Sequence, residues 1–555
     1  MIFPKPQKVE SAQTIALKTT PSLTLHIADI SLKAERSRLF GTVFAENGNV
    51  TIHAEQDTTE RLCYIEKCSR LTDEKYILDI MGDETGIEVA LTYSGRRSLW
   101  YALNTVEKMA AANFFPIGRV EDYPLFEKRG FIEGFYGKTW QPGQRLQMLR
   151  LAAQNGINTF YYAPKDDPYH RRLWRELYPE QELRDLKTLV DTAADLCIDF
   201  HYCIAPGLSM RYTSEADFSD LMNKTKQLYD IGVRGFGLLL DDIPHELAFE
   251  EDKARYGETV NAHIDLINRY HAALCEIDKR NRLTVCPMQY HGKGTEYQIS
   301  KFGRGIVPEA EVFWTGNEIC SREITVPEAV RFIDATNHRP LYWDNYPVND
   351  AEMHNEMHLG PIMGRDEDLY RYSKGIIANC MEYFECTKVP LLTIADYLWN
   401  PLQYDKDASY QNALNLMIGK ENVELFLLFA DHLKTSCLHD SNSRLMSDVL
   451  GTAGAMILKG EGEAAFTQLG EYLEKMKECV NLLGTAEAPI FKELRRWSDK
   501  FALCTTLLEL GMEYLLEGED EVHEKILRLS SQYNNDATVL TGFCFREFLE
   551  FVTDR

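Results

Sequence analysis

The sequence contains no Cys-x-x-Cys pair, although it has 13 cysteines. This odd number is scattered from Cys63 to Cys544, and many of the cysteines lie in apolar runs, as Cys203 does within 201–205. Small proteins held together by disulfides have cysteines in even numbers at characteristic spacings. The pattern instead indicates reduced, buried thiols and a reducing compartment.

Long hydrophobic runs and a signal sequence are also lacking. No uncharged apolar run approaches the roughly 18 residues that a membrane-spanning helix requires. Residues 1–7 contain no charged segment followed by an apolar one. We therefore expect a cytoplasmic protein that does not span a membrane. A secreted protein from which the signal peptide had been removed would show the same pattern.

Basic residues are few relative to acidic ones. The chain has 60 lysines and arginines against 85 aspartates and glutamates, which gives a formal net charge of −25. Because such a charge repels phosphate backbones, we expect no nucleic-acid partner. The sequence has neither a Walker loop nor a Gly-x-Ser-x-Gly motif, so nucleotide binding and serine hydrolysis have no support. We expect no cofactor.

The hydrophobic pattern divides the chain into three regions. Residues 1–120 contain alternating segments typical of strands, such as Ser22 to Ile27 and Lys75 to Ile80, and then a helical stretch from Ser98 to Val106. This predicts an N-terminal α+β domain. Residues 404–555 are helical and acidic, which predicts a C-terminal helical bundle that serves packing, a cleft wall or association into a homo-oligomer.

The middle region, residues 121–403, alternates short apolar runs with amphipathic helices. The runs begin 28 to 47 residues apart, which leaves room for a helix in each gap. Eight such runs are the pattern of an α/β fold, the (β/α)8 TIM barrel. They are Arg129–Gly134, Asn158–Pro164, Asp199–Pro206, Gly235–Asp242, Arg282–Gln289, Glu311–Gly316, Arg339–Asn345 and Gly375–Asn379.

Functional groups of such barrels gather at the C-terminal ends of the strands. Six of the eight runs end in or next to polar groups. This concentration exceeds what loops alone would explain, and it predicts an active site at this end of the barrel. These groups are Glu133, Lys165-Asp166-Asp167, Asp241-Asp242, Tyr290, Trp343-Asp344-Asn345 and Asn379.

The pair Asp241 and Asp242 is the most informative of these groups. It follows the run from Gly235 to Leu240, which is typical of a buried strand. Neighbouring carboxylates resist ionising together, so the pKa of one is raised and that of the other is lowered. This suits acid/base chemistry on a sugar, or a metal site. Alternatively, Asp242 caps a helix that begins at Ile243, which would leave Asp241 unexplained.

Other polar groups also have two interpretations. Lys165 and its acidic neighbours form either a solvated charge cluster or part of a binding site, and Trp343 is either core or the flat wall of a sugar site. His354 and His358 flank Glu356, but this spacing differs from the His-Glu-x-x-His of zinc proteases. It predicts a surface loop or helix, and we expect no metal.

Several of these segments together resemble glycoside hydrolase family 84, the β-N-acetylglucosaminidases that include protein O-GlcNAcases. The resemblance is strong over 121–403, looser over the first domain, and limited to general character in the helical tail. The matching segments are Arg129–Gly137, Tyr162–Tyr169, Leu240–Ile243, Trp314-Thr315-Gly316, Trp343-Asp344-Asn345 with Asn349-Asp350, and Asn379.

The resemblance implies retaining hydrolysis in which the 2-acetamido oxygen of the substrate attacks the anomeric carbon and forms an oxazoline. Asp241 would orient and polarise the acetamido N–H, and Asp242 would protonate the leaving oxygen and then deprotonate water. Asn345 would hold these aspartates. The remaining implied substrate-binding residues are Tyr290 for the acetamido oxygen, Trp343 for its methyl group, and Gly134, Tyr136, Lys165, Asp350 and Asn379 for the rest of the sugar.

Three hypotheses follow. The first is an exo-acting β-N-acetylglucosaminidase that removes GlcNAc from a β-linked glycoside or glycoprotein, or a related β-N-acetylhexosaminidase that favours GalNAc or hyaluronan-derived ends. The second is a catalytically inactive barrel that binds glycans. The third is a metal hydrolase that uses the aspartate pair with His354 and His358.

Overall fold

The computed structural model describes residues 3–29, 31–68 and 70–554. Residues 1 and 2, which belong to the N-terminal segment without signal-peptide character, lie outside the described residues. In the described part of the chain, none of the helices combines the length and the apolar character needed to cross a bilayer.

A mixed six-stranded sheet forms the N-terminal region, with the strand order β1-β8-β6-β7-β3-β2. The predicted strand and helix segments are confirmed. The elements in chain order are β1 (Lys8–Ile15), β2 (Leu23–His26), α1 (Ser31–Phe40), β3 (Val50–Gln56), α2 (Glu60–Cys63), β4 (Tyr64–Ile65), β5 (Arg70–Leu71), β6 (Tyr76–Asp83), β7 (Gly86–Tyr93), α3 (Arg96–Ala111) and β8 (Phe115–Asp122).

A buried ion pair joins this region to the middle of the chain. Arg129 Nη2 lies 2.6 Å from Glu74 Oε1, and Tyr101 accepts a further hydrogen bond from the same guanidinium. Burial alone would raise the pKa of Glu74, but nearby arginines, Arg129 foremost, outweigh it and lower the pKa to about 2. The pair therefore fixes the start of the first barrel strand against the N-terminal sheet.

The eight predicted runs form the eight strands of a closed parallel barrel, which confirms the predicted fold. The strands are β9 (Lys128–Glu133), β10 (Thr159–Tyr162), β11 (Asp199–Ile204), β12 (Gly235–Leu239), β13 (Arg282–Cys286), β14 (Glu311–Trp314), β15 (Pro340–Asp344) and β16 (Gly375–Asn379). The helices are α4 (Pro142–Gln154), α5 (Glu180–Asp195), α6 (Glu215–Asp230), α7 (Glu250–Tyr256), α8 (Thr259–Ile277), α9 (Tyr297–Gly305), α10 (Val326–Thr336), α11 (Leu369–Tyr372) and α12 (Phe384–Trp399).

Local sequence accounts for these elements. Strands β12 and β16 are buried at every position, as expected for strands covered on both faces. Helix α10 begins with a capping box in which Glu328 accepts from the Thr325 backbone N–H at 3.0 Å, and it ends at Asn337 with a left-handed φ of 61°.

The interior of the barrel is filled by side chains. Inward-facing residues from the strands form one buried cluster, so the open space lies above it, at the C-terminal ends of the strands. The cluster consists of Ile132, Tyr161, Ala163, Cys203, Leu239, Cys286, Phe313, Leu341, Trp343 and Ile377.

The rest of the chain is helical, as predicted, and has its own core around Phe429, Met476, Trp497 and Phe501. The domain limits at 120 and 403 stay predictions. The helices are α13 (Lys406–Ile418), α14 (Val423–Leu433), α15 (Arg444–Leu458), α16 (Gly462–Thr485), α17 (Pro489–Glu493), α18 (Arg495–Glu517), α19 (Asp520–Asn535) and α20 (Phe543–Thr553).

Candidate active site

A cavity of about 780 Å³ opens at the C-terminal ends of the barrel strands. Its volume lies within the roughly 300–1,000 Å³ that is usual for small-ligand sites. All ten site residues predicted from the sequence line this cavity: Gly134, Tyr136, Lys165, Asp241, Asp242, Tyr290, Trp343, Asn345, Asp350 and Asn379.

Asp241 and Asp242 follow β12, and Asp242 has a left-handed φ of 51°. Such a conformation is uncommon for a residue other than glycine. No helix begins at Ile243, since the next helix starts at Glu250. The helix-cap interpretation of Asp242 is therefore wrong, and the conformation instead directs its side chain into the cavity, where it is exposed.

Two tyrosine hydroxyls hold the Asp242 carboxylate. Tyr136 donates to Oδ2 at 3.0 Å, and Tyr290 donates to Oδ1 at 3.3 Å. Burial raises the pKa of the Tyr290 hydroxyl, and the two aspartates raise it further, so this hydroxyl stays a proton donor at neutral pH.

Asp241 lies deeper than Asp242 but keeps part of its surface on the cavity. Burial raises its pKa, the Lys165 ammonium opposes that rise, and the neighbouring charge of Asp242 adds to it. The sequence predicted that one carboxylate of the pair would have a raised pKa, and Asp241 is that carboxylate. A carboxylate with a raised pKa is a stronger hydrogen-bond acceptor when ionised.

Asp350 also lines the cavity, and its pKa is raised by burial and lowered in part by a hydrogen bond from the Tyr136 backbone N–H. This N–H donates to Asp350 Oδ2 at 2.7 Å. The Lys165 ammonium lies 5.0 Å from the centroid of the Tyr136 ring, within the range of a cation–π contact. Tyr136 therefore spans the cavity mouth between Asp242 and Asp350.

Trp343 forms the floor of the cavity. It is only 7% exposed, and Phe313 packs edge-on against it with ring centroids 5.2 Å apart. A Cβ at position 134 would lie 2.8 Å from Trp343 Cζ2, which is closer than packed carbon atoms approach. Glycine is therefore required there, because any side chain would displace the indole.

Two asparagines brace the Trp343 ring. Asn345 Oδ1 accepts from Trp343 Nε1 and from Asn379 Nδ2, both at 3.0 Å. Asn345 Nδ2 donates to the Ile319 carbonyl at 2.7 Å. Among the described residues no hydrogen bond joins Asn345 to Asp241 or Asp242, so its role in holding the aspartates stays a prediction.

Asn379 has an unsatisfied acceptor in the described part of the structure. Its side chain is 4% exposed, and its Oδ1 atom is buried without a hydrogen-bond partner. A buried polar atom of this kind costs free energy unless a ligand or water satisfies it. Because Asn379 lines the cavity, a sugar hydroxyl is a suitable donor.

Other polar groups at the strand ends do not line this cavity. Glu133 pairs with Arg145 at 2.6 Å, and Asp344 pairs with Arg365 at 2.6 Å. Asp167 accepts from the hydroxyls of Tyr162 and Tyr178 beside a neighbouring cleft. In the cluster Lys165-Asp166-Asp167, only the lysine therefore belongs to the candidate site.

The two histidines of the possible metal site make other contacts. His358 bonds the Val348 carbonyl at 2.8 Å and Glu356 at 2.9 Å, and His354 bonds the Ala351 carbonyl. Among the described residues there is no group of three or more histidines, cysteines or acidic residues placed to hold a metal ion.

Arg171 and Cys437 were not among the predicted site residues. Arg171 Nη2 donates to the Asp242 carbonyl at 3.1 Å, and its Nη1 donates to the Tyr136 hydroxyl at 3.0 Å. The only signal was its position, six residues after Lys165 in the loop that follows β10. Cys437 lines the cavity from the helical region, so that region supplies part of a cleft wall, and no motif marks it.

Comparison with known proteins identifies the family. Residues 129–431 match the family described as beta-N-acetylglucosaminidase. The protein O-GlcNAcases of Rattus norvegicus and Mus musculus are each 33% identical over 274 residues, or 48% of this chain. The match covers 29% of each relative, so the chain corresponds to less than a third of the length of these curated relatives.

Solved structures are also similar. A mutant of the O-GlcNAc hydrolase of Thermobaculum terrenum is 31% identical, with a TM-score of 0.75, over 77% of this chain and 95% of that chain. The structure of CpGH84B shares the fold over 100% of both chains, with a TM-score of 0.84 and 24% identity. With more than half of its length matched, the chain belongs to the beta-N-acetylglucosaminidase family of glycoside hydrolases.

Proposed function

We propose that the protein is a retaining exo-β-N-acetylglucosaminidase that hydrolyses terminal β-linked GlcNAc through an oxazoline intermediate. The observation that carries the proposal is that Asp241 and Asp242 are consecutive residues at the end of one strand and line the same cavity. Most retaining glycosidases place a nucleophile and an acid on either side of the bond that breaks. Two carboxylates on one side suit a nucleophile that belongs to the substrate.

Asp241 accepts the acetamido N–H and so increases the negative charge on the acetamido oxygen. The raised pKa of Asp241 supports this role, because a more basic carboxylate binds that proton more strongly. The oxygen attacks the anomeric carbon while Asp242 protonates the leaving oxygen. Asp242 then removes a proton from water, and the water opens the oxazoline with overall retention.

The other cavity residues hold the sugar. Tyr290 leaves Asp242 Oδ1 and donates to the acetamido oxygen, and Trp343 packs against the acetamido methyl group. Lys165, Asp350 and the unsatisfied Oδ1 of Asn379 bind hydroxyl groups. A buried partner such as Asn379 discriminates strongly, because a sugar that lacks the hydroxyl leaves it unpaired.

The test is a turnover panel with an aryl β-GlcNAc glycoside, an aryl β-GalNAc glycoside and a peptide that carries O-linked GlcNAc. We expect hydrolysis of the GlcNAc substrates, release of the β-anomer by NMR, and inhibition by a thiazoline that mimics the oxazoline. Binding without turnover of any substrate would instead support the glycan-binding hypothesis. Loss of activity on treatment with a chelator would support the metal-hydrolase hypothesis.

A further inference from the structure

One arginine contacts both the backbone of Asp242 and the hydroxyl that holds the Asp242 side chain. The Arg171 guanidinium donates to the Asp242 carbonyl and to the Tyr136 hydroxyl, and this hydroxyl donates to Asp242 Oδ2. We propose that Arg171 is a positioning residue that holds Asp242 in the orientation required to protonate the leaving group. This inference rests on the proposed function and adds Arg171 to the residues that the reaction requires.

The Asp242 backbone has an uncommon conformation. Its φ of 51° lies in the left-handed region, where a side chain crowds the neighbouring peptide unit. A residue stays in such a conformation only where surrounding contacts hold it. The hydrogen bond from Arg171 to the Asp242 carbonyl is charge-assisted and therefore stronger than one between neutral groups.

Arg171 also determines where the proton of the Tyr136 hydroxyl points. A guanidinium has five N–H donors and no acceptor, so the Tyr136 oxygen must accept from Arg171. The hydroxyl proton is then free to point at Asp242 Oδ2, 3.0 Å away. Arg171 thus determines the direction of this hydrogen bond as well as its geometry.

The hydrogen bonds of Arg171 lie on the Asp242 side of the cavity. Arg171 follows β10, whereas Tyr136 follows β9 and Asp242 follows β12, so the guanidinium ties together the loops of three strands. Among the described residues its hydrogen bonds at this site are to Asp242 and Tyr136, and its charge also opposes the raised pKa of Asp241, less than Lys165 does. The hydrogen bonds around Trp343 and Asn345 do not involve it, so removing Arg171 should impair proton transfer and spare recognition of the acetamido group.

The experiment compares Arg171→Met with Arg172→Met on two substrates. Arg172 is the adjacent, exposed residue and serves as the matched control. The substrates are a 4-nitrophenyl β-GlcNAc glycoside, whose leaving group needs little protonation, and a GlcNAc-serine peptide, whose leaving group needs full protonation. The affinity of the thiazoline inhibitor reports the acetamido side separately.

For Arg171→Met we expect kcat/KM on the peptide to fall by roughly 10- to 100-fold, within the range of general acid catalysis. On the nitrophenyl glycoside the loss should stay below about threefold, and the thiazoline inhibition constant should change by less than about threefold, since direct contacts are kept. Arg171→Lys should recover part of the activity on the peptide. Tyr136→Phe should lower kcat/KM on the peptide by a smaller factor in the Arg171→Met variant than in the unaltered protein, because both substitutions disturb the same hydroxyl.

Equal losses on both substrates, weaker thiazoline binding, or a similar loss in Arg172→Met would each overturn the positioning role. Full activity of Arg171→Met on the peptide would overturn it as well. These outcomes all require an active unaltered protein and leave the proposed function intact. If the unaltered protein cleaves neither substrate, the proposed function fails and this inference fails with it.

Discussion

The two sides of the cavity differ in how their side chains are held. On the Trp343 side, Trp343 is 7% exposed and Asn379 is 4% exposed, and Asn345 bonds them both. On the Asp242 side, Tyr136 is 45% exposed and the carboxylate is held by hydroxyls at 3.0 and 3.3 Å.

This difference fits the two tasks that we propose. The buried side, around Trp343, recognises the acetamido group, so a pocket that is already in the bound shape is an advantage. The exposed side must serve the leaving oxygen first and a water molecule second, so access to solvent is required. The predictions below test whether the two sides are in fact distinct.

The largest effect should come from Trp343→Ala. Removing a buried tryptophan costs about 3–5 kcal/mol of unfolding free energy, because the indole fills the space above Phe313. Tyr136→Phe, on the exposed Asp242 side, should lower the unfolding free energy by less than about 1.5 kcal/mol. Urea denaturation measures both, and similar losses in the two variants would remove the distinction between the sides.

Asn345→Ala should have an intermediate effect. It leaves Trp343 Nε1 and Asn379 Nδ2 without their acceptor, at a cost of about 1–3 kcal/mol, and should weaken thiazoline binding. In a Trp343→Phe background, which has no indole N–H, Asn345→Ala should lower the unfolding free energy by less. If the cost is unchanged in that background, the hydrogen bond does not hold the indole.

Lys165→Met should have the smallest effect on stability but should shift the pH profile. Asp241 must be ionised to accept the acetamido N–H, so activity falls as pH drops through its pKa. Lys165 opposes the rise in that pKa. Its removal should therefore raise the pKa of Asp241 further and move the acid side of the kcat/KM profile to higher pH. Measurement of kcat/KM over a pH series tests this, and a shift of the acid side to lower pH would contradict the role assigned to Asp241.

The sequence predicted the barrel because eight short apolar runs alternate with stretches that are long enough for a helix. It also identified ten of the residues that line the cavity, because parallel strands bring their C-terminal ends to one face. It did not identify hydrogen-bond partners. Asn345 was assigned to the aspartates by resemblance, but its amide bonds Ile319, which lies 26 residues away in another loop.

Arg171 was missed for the same reason. Its partners Tyr136 and Asp242 lie 35 and 71 residues away, and no local period relates loops that follow different strands. The left-handed backbone of Asp242 was also beyond prediction, since aspartate does not require it. The capping interpretation, which assumed a helix at Ile243, was wrong because the chain there is irregular as far as Glu250.

The most direct test of the account compares Asp241→Ala with Asp242→Ala on the nitrophenyl glycoside and on the GlcNAc peptide. We expect Asp241→Ala to lower kcat/KM on both substrates by roughly 10²- to 10³-fold, because the acetamido group loses its acceptor in each case. Asp242→Ala should lower it by roughly 10²- to 10⁴-fold on the peptide and far less on the nitrophenyl glycoside. The same pattern of loss in both variants would contradict the division of roles between the two aspartates.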